Sequence, residues 1–162
     1  MPLANRYGSI LVTTDGRGRK IGGIIDGTPK PGTVMQVKSS TEPVNGKYTW
    51  EAYNRDADGD NPKGPVAVLL EDYLQGRLIT DAYVSGTIGQ LYIPLAGDML
   101  LMLLADVAGT TTDSHAIGEI LMVDDGTGKL LVTTGVEHEP FVVMETLTGL
   151  SADQLCLCMF AG

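Results

Sequence analysis

This chain is poor in the side chains on which compact catalytic and metal sites are built: 162 residues hold only two cysteines and two histidines. Cys156 and Cys158 are separated by one residue, on one face of a strand and too close along the chain for an ordinary disulfide. A disulfide framework is thereby excluded, and the pair reads as two small buried hydrophobes. Basic charge is scarce too, with 11 Lys and Arg against 20 Asp and Glu, for a net charge of −9. That balance disfavours nucleic acid as a partner, because a nucleic-acid binder needs a basic face. Long apolar runs are missing: the longest, Met99 to Ala105, falls far short of the roughly 20 residues that cross a bilayer as a helix. Residues Met1–Tyr7 have neither the basic segment nor the apolar core of a secretory signal, so the chain is expected to be made in a reducing cytoplasm.

What is present is turn chemistry. A hydrophobic fraction of 43% excludes a wholly disordered chain, and 21 Gly with 8 Pro in no fixed period indicate many tight turns. From Gly32 onward, short apolar runs are cut every ten or so positions. Pro31-Gly32 precedes Thr33–Val37, Gly64-Pro65 precedes Val66–Leu70, and Ala96–Asp98 precedes Met99–Ala105. Asp124–Gly126 separates Glu119–Val123 from Lys129–Thr133, and Pro140 opens Phe141–Thr146. A strand of five or six residues crosses its sheet and must then turn back, so this spacing predicts an all-β fold, a compact sandwich or small barrel. Leu and Met favour helix in Met99–Ala105, and Asp98 is an acceptable N-cap; the short length and flanking turns decide for a strand. A one-turn helix fits at Glu71–Gln75. Gln154–Phe160 is apolar on both faces and is expected to lie centrally, or to bury its second face against another subunit.

Two stretches depart from the rhythm. Residues 1–20 contain a strand-like segment at Ser9–Thr13 followed by polar, basic Asp15–Lys20, and read as an N-terminal arm before a single domain at 21–162. Ser39–Pro65 combines an aromatic, strand-favouring segment at Tyr48–Tyr53 with a long polar loop at Asn54–Pro62.

Few constellations suggest chemistry. Asp56, Asp58 and Asp60 have the alternate spacing that opens a calcium loop, but Asn61 and Ala67 stand where the turn glycine and the bidentate glutamate belong, leaving a solvated acidic loop. His115 and His138, with Glu137 and Glu139, match no compact zinc pattern. Ser85 and Ser114 lie in turns without a nucleophile elbow or a local base. Gly16–Lys20 and Gly126–Lys129 are similar to phosphate loops in composition only, since a strand follows Lys129. Asp81, Tyr83 and Gly86 faintly resemble a dUTPase motif at the wrong spacing, and Pro94–Leu100 resembles the turn of biotin and lipoyl carriers without their displayed lysine. No catalytic, cofactor-binding or metal residue is assigned. Trp50, Tyr48 and Tyr53 could form a stacking surface for carbohydrate, or could pack beneath the long loop.

Taken in order, Gly32–Val37, Ala67–Glu71, Ala96–Leu100, Ile117–Leu121, Gly128–Leu131 and Glu139–Glu145 resemble the decoration, or cement, proteins of tailed-bacteriophage capsids, over about residues 30 to 162. The resemblance implies a non-enzymatic protein on the exterior of the virion, bound to the major capsid protein, homo-oligomeric with a trimer favoured, that bridges neighbouring capsomers. It implies no cofactor, nucleic acid or membrane. On that reading the arm could add a strand to a capsid sheet edge. The alternatives are a fibre or tail component, a receptor-binding β domain and, last, a metal-dependent hydrolase.

Overall fold

The computed structural model describes residues 9–12, 18–54, 65–76, 78–105, 114–124, 126–132, 141–149 and 153–162. These residues form an all-β fold of two parts. The first is a closed barrel of β1 (Arg19–Ile25), β2 (Val34–Val37), β3 (Thr49–Ala52), β4 (Ala67–Leu69) and β5 (Ile88–Ile93), in the order β1-β3-β2-β4-β5. The second is a sheet of β6 (Met99–Leu103), β7 (Ile120–Val123), β8 (Leu130–Val132), β9 (Phe141–Val143) and β10 (Leu155–Phe160), in the order β6-β10-β9-β7-β8. This sheet curls until its two edges meet: Leu104 bridges Leu130, and the Ala105 amide donates to the Leu130 carbonyl at 2.7 Å.

The barrel closes because β1 and β5 can approach without bulk between them. They pair antiparallel with Gly23 opposite Gly89. A Cβ on Gly23 would lie 2.3 Å from the Trp50 indole, and one on Gly89 would lie 2.6 Å from Ile25. The two glycines thus open the space that Trp50, Ile25, Tyr83 and Leu91 fill as the barrel core, together with Met35, Ala67 and Leu69. Side chains alternate along a strand, so the next residues of β2, β4 and β5 point outward. They form a cross-strand row, Val34, Val68 and Tyr92, that is buried in the core of the second sheet.

Polar groups fix the junction. The turn from β5 to β6 is held by Asp98, whose carboxylate accepts from the Leu95 amide at 2.8 Å and from the Tyr92 hydroxyl at 2.7 Å. The hydroxyl in turn accepts the Gly18 amide at 3.1 Å. Burial and the neighbouring Asp98 carboxylate push the Tyr92 phenol up to about 12. The neutral phenol is the form the fold favours, so its contribution is present below the ordinary tyrosine range near pH 10 and is lost as pH rises through about 12. Spectrophotometric titration should show a tyrosine class ionising about two units above the exposed ones, abolished in Tyr92→Phe.

At the second joint, Gly128 has φ +65° and its carbonyl accepts the Val34 amide at 2.7 Å. Here Asp153 in the β9–β10 connection accepts Lys30 from the barrel at 3.0 Å and is also bonded by Lys129 from the β7–β8 turn. The two ammonium groups hold the Asp153 carboxyl below its usual range. A carboxyl so lowered stabilises the fold above its unfolded value and ceases to do so as pH falls below about 4. Asp153→Asn should therefore cost about 1 kcal/mol at pH 7, by denaturant unfolding, and progressively less as the pH is lowered below about 4.

The strands expected at Thr33–Val37, Tyr48–Tyr53, Val66–Leu70, Met99–Ala105 and the four later segments are all present. Met99–Leu103 is extended because it pairs along β10. The expected one-turn helix is a 3₁₀ turn at Tyr73–Gln75, capped by Asp72, whose carboxylate accepts the Leu74 and Gln75 amides. β10 lies between β6 and β9, with Cys156 and Cys158 both fully buried. Arg19 and Lys20, placed in the arm by composition, pair with Ile93 and Tyr92 as the first residues of β1. The Ser9–Thr13 segment is observed over 9–12, where Leu11 bridges Leu100 on the edge of β6.

Candidate interaction surface

Several of the described residues that could have carried chemistry are engaged in bonds within the fold. Asp56, Asp58 and Asp60 lie outside the described residues, as do Glu137, His138 and Glu139. His115 is buried; its Nδ1 lies 2.9 Å from Glu119 Oε2, and its backbone pairs with Leu147. Ser85 accepts the Gly27 amide and donates to Asp26, whose carboxyl is held below its usual range by the Lys38 ammonium beside it. Cys156 beside it and burial raise the Cys158 thiol well above the ordinary range, which opposes formation of a thiolate. Among the described residues, no three His, Cys, Asp or Glu side chains gather closely enough for a metal ion. Nor is any helix among them long and apolar enough to cross a membrane.

The aromatic surface considered for carbohydrate is not assembled. Trp50 fills the barrel and Tyr53 the core of the second sheet, so of the three only Tyr48 is exposed. Tyr48 lines an open groove of about 570 Å³ with Arg19, Ile21, Val37, Gly46 and Pro65, where Trp50 offers only the edge of a buried ring. Tyr83 is buried, donating its hydroxyl to the Leu70 carbonyl at 2.8 Å, and Asp81 caps the Leu78 amide. Lys129, the candidate phosphate lysine, is bonded to Asp153.

The surface feature that does stand out is apolar. The connection from β4 to β5 exposes Tyr73, Leu74, Leu78, Val84 and Ile88, and Leu74 is 92% exposed. Gln75 ties the 3₁₀ turn to β5 by donating to the Ile88 carbonyl at 3.0 Å, and the Val84–Thr87 turn leads directly into Ile88. The β4–β5 connection and the start of β5 therefore carry several large exposed apolar groups, with Asp81 bonded to its own turn. Exposed apolar patches of this kind mark interaction sites. Periodicity could not find this surface, because Tyr73 and Leu74 lie in a 3₁₀ turn and Leu78 and Val84 in the loop after it; the signal was the number of large apolar residues flanking the turn glycines Gly76 and Gly86.

No known family profile matches the chain, and no curated protein matches it. Among solved structures its fold is similar to the N base of the head fibre protein gp8.5 of bacteriophage phi29, with a TM-score of 0.53 at 8% identity. The likeness spans 89% of this chain and 94% of that one, so it takes in both the barrel and the curled sheet. At that identity it is a likeness of fold.

Proposed function

We propose that this protein is a non-enzymatic structural component of a tailed-phage virion, seated as a homo-oligomer on the outside of the head, where it contacts the major capsid protein. The observation that carries the reading is the likeness of fold to a phage head fibre base over 89% of this chain. The order of turn motifs that resembles capsid decoration proteins supports the same location. The arrangement of side chains is compatible with it: Ser85 is bonded to Asp26 and Cys156 and Cys158 are buried, while Tyr73, Leu74, Leu78, Val84 and Ile88 are exposed. Repeated weak contacts suffice on a shell, because many sites on one particle act by avidity.

Two forms of the role are compatible with this surface, a cement that bridges capsomers and a base that seats a fibre. The fold similarity favours the base. Mass spectrometry of purified particles, before and after brief protease treatment of their exterior, tests the location. The protein should be present in the untreated particles and cleaved in the treated ones; its absence from particles would end the proposal.

A further inference from the structure

The seam that closes the barrel between β1 and β3 is zipped at one end only. Their parallel pairing comprises Ile24 with Thr49 and Ile25 with Trp50. Its bonds include the Ile24 amide to the Tyr48 carbonyl at 3.0 Å and the Asp26 amide to the Trp50 carbonyl at 2.8 Å. Main-chain groups alternate sides along a strand, so with Ile24 and Asp26 bonded to β3, Lys20 and Gly22 turn their amides and carbonyls the same way. The opposite side agrees: Ile25 bonds the Thr87 carbonyl, and Gln90, across from Gly22, gives its carbonyl to Leu70 instead. One further step of the ladder would join the Tyr48 amide to the Gly22 carbonyl. Among the described residues that bond is not made, because the chain before Tyr48 pairs with itself in the Val44–Lys47 turn, closed by two bonds of 3.0 Å. Lys20 and Gly22, both exposed, thus present an edge of β1 for which the described residues offer no partner.

The surroundings of this edge are open and basic. The groove of about 570 Å³ that Tyr48 lines takes in Arg19, Ile21 and Gly22, with Val37 and the edge of Trp50 as apolar wall. Beyond its chain neighbours, a Cβ on Gly22 would meet only the Lys47 Nζ, at 3.7 Å. Arg19 and Lys20 are exposed beside it. None of these three cations has an ion-pair partner among the described residues, whereas Lys30, Lys38 and Lys129 are each paired. In a chain of net charge −9 that is a local reversal of sign. Lysine beside a free edge guards it against indiscriminate strand pairing. The same charges favour an occupant that carries carboxylates and reject a basic one.

We infer that the open edge of β1 at Arg19–Gly22 takes an extended acidic segment of a partner protein as an added strand, its main chain bonded to Lys20 and Gly22 and its carboxylates beside Arg19, Lys20 and Lys47. Main-chain pairing supplies affinity in such an arrangement, and the flanking side chains supply the choice of partner. The inference goes beyond the head-protein reading and does not rest on it.

The test is fluorescence anisotropy of the full chain with a labelled, end-blocked peptide of alternating glutamate and valine. Saturable binding is expected, weakened about tenfold in Arg19→Glu with Lys47→Glu. Neither side chain belongs to a core cluster, and circular dichroism checks that the variant is folded. A peptide of the same sequence N-methylated at every amide keeps its charges but cannot complete the ladder, and should not bind; nor should a peptide of alternating lysine and valine. Equal binding by the methylated and unmodified peptides would reduce the site to charge attraction and overturn strand addition. Failure of the glutamate–valine peptide to bind the wild type would overturn it too, as would binding of maltoheptaose in its place, which would assign the groove to carbohydrate. Attachment to phage heads, scored separately, tests the function.

Discussion

Valine at Gly23 is expected to destabilise the fold by about 3 kcal/mol, and truncation of Trp50 to alanine by about 4 kcal/mol. Both numbers arise from one contact. The indole lies where a Gly23 Cβ would be, 2.3 Å from Trp50 and 2.8 Å from Leu91, and Leu91 is itself fully buried. Neither neighbour can yield, because Trp50 pairs with β1 at Ile25 and with β2 at Val37 and its ring is enclosed by the barrel. The valine must displace the indole or part β1 from β5. Alanine at 50 instead leaves a cavity of indole size in a small closed barrel whose hydrogen-bonded strands cannot collapse into it. The two substitutions should be far from additive: once Trp50 is gone, the cost of a side chain at 23 falls. Urea unfolding followed by circular dichroism measures the single and double variants, and strict additivity would show that the glycine does not exist to admit the ring.

The second large effect falls on binding. Leu74→Asp with Val84→Asp should weaken attachment to phage heads by about a hundredfold and leave the melting temperature within a few degrees of the wild type. Leu74 is almost wholly exposed and Val84 more than half, so neither supports the core. Aspartate at both positions puts two charges on a surface whose other exposed large residues include Tyr73, Leu78 and Ile88. Desolvating those charges opposes docking wherever this face is the contact, and the acidic chain gains only solubility in the free state. Quantifying the protein bound per head across a concentration series reads the effect. Wild-type binding by the double variant would move the interface to another face.

Much of the architecture was legible in the sequence, and the two strands that were missed show why. The later strands announce themselves by apolar runs between turn residues, and β10 by being apolar on both faces. β1 and β5 do not, because Gly22, Gly23 and Gly89 interrupt their pattern. Glycine in a strand reads as a breaker when its neighbour across the barrel is unknown; only the Gly23–Gly89 register and the Trp50 ring explain it. The start of β1 is hidden similarly. Composition around Asp15–Lys20 says polar and basic, yet Arg19 and Lys20 pair with β5, and Ile10 is core because Glu71, distant in sequence, turns its carboxylate onto it. Of the two readings of the aromatic trio, a stacking surface or packing, the barrel and the second sheet decide for packing at Trp50 and Tyr53. The exposed apolar residues from Tyr73 to Ile88 had no periodicity to betray them.

The central claim is that this protein acts by broad contact with an assembled phage head. Its most direct measurement is the addition of the purified chain to heads that lack it, with sedimentation of the particles to separate bound from free. The account predicts saturable binding at a fixed number of copies per head, set by the symmetry of the shell, with no change in the heads' protein composition other than the added chain. Failure to bind at any concentration, with the protein folded and oligomeric, would contradict it.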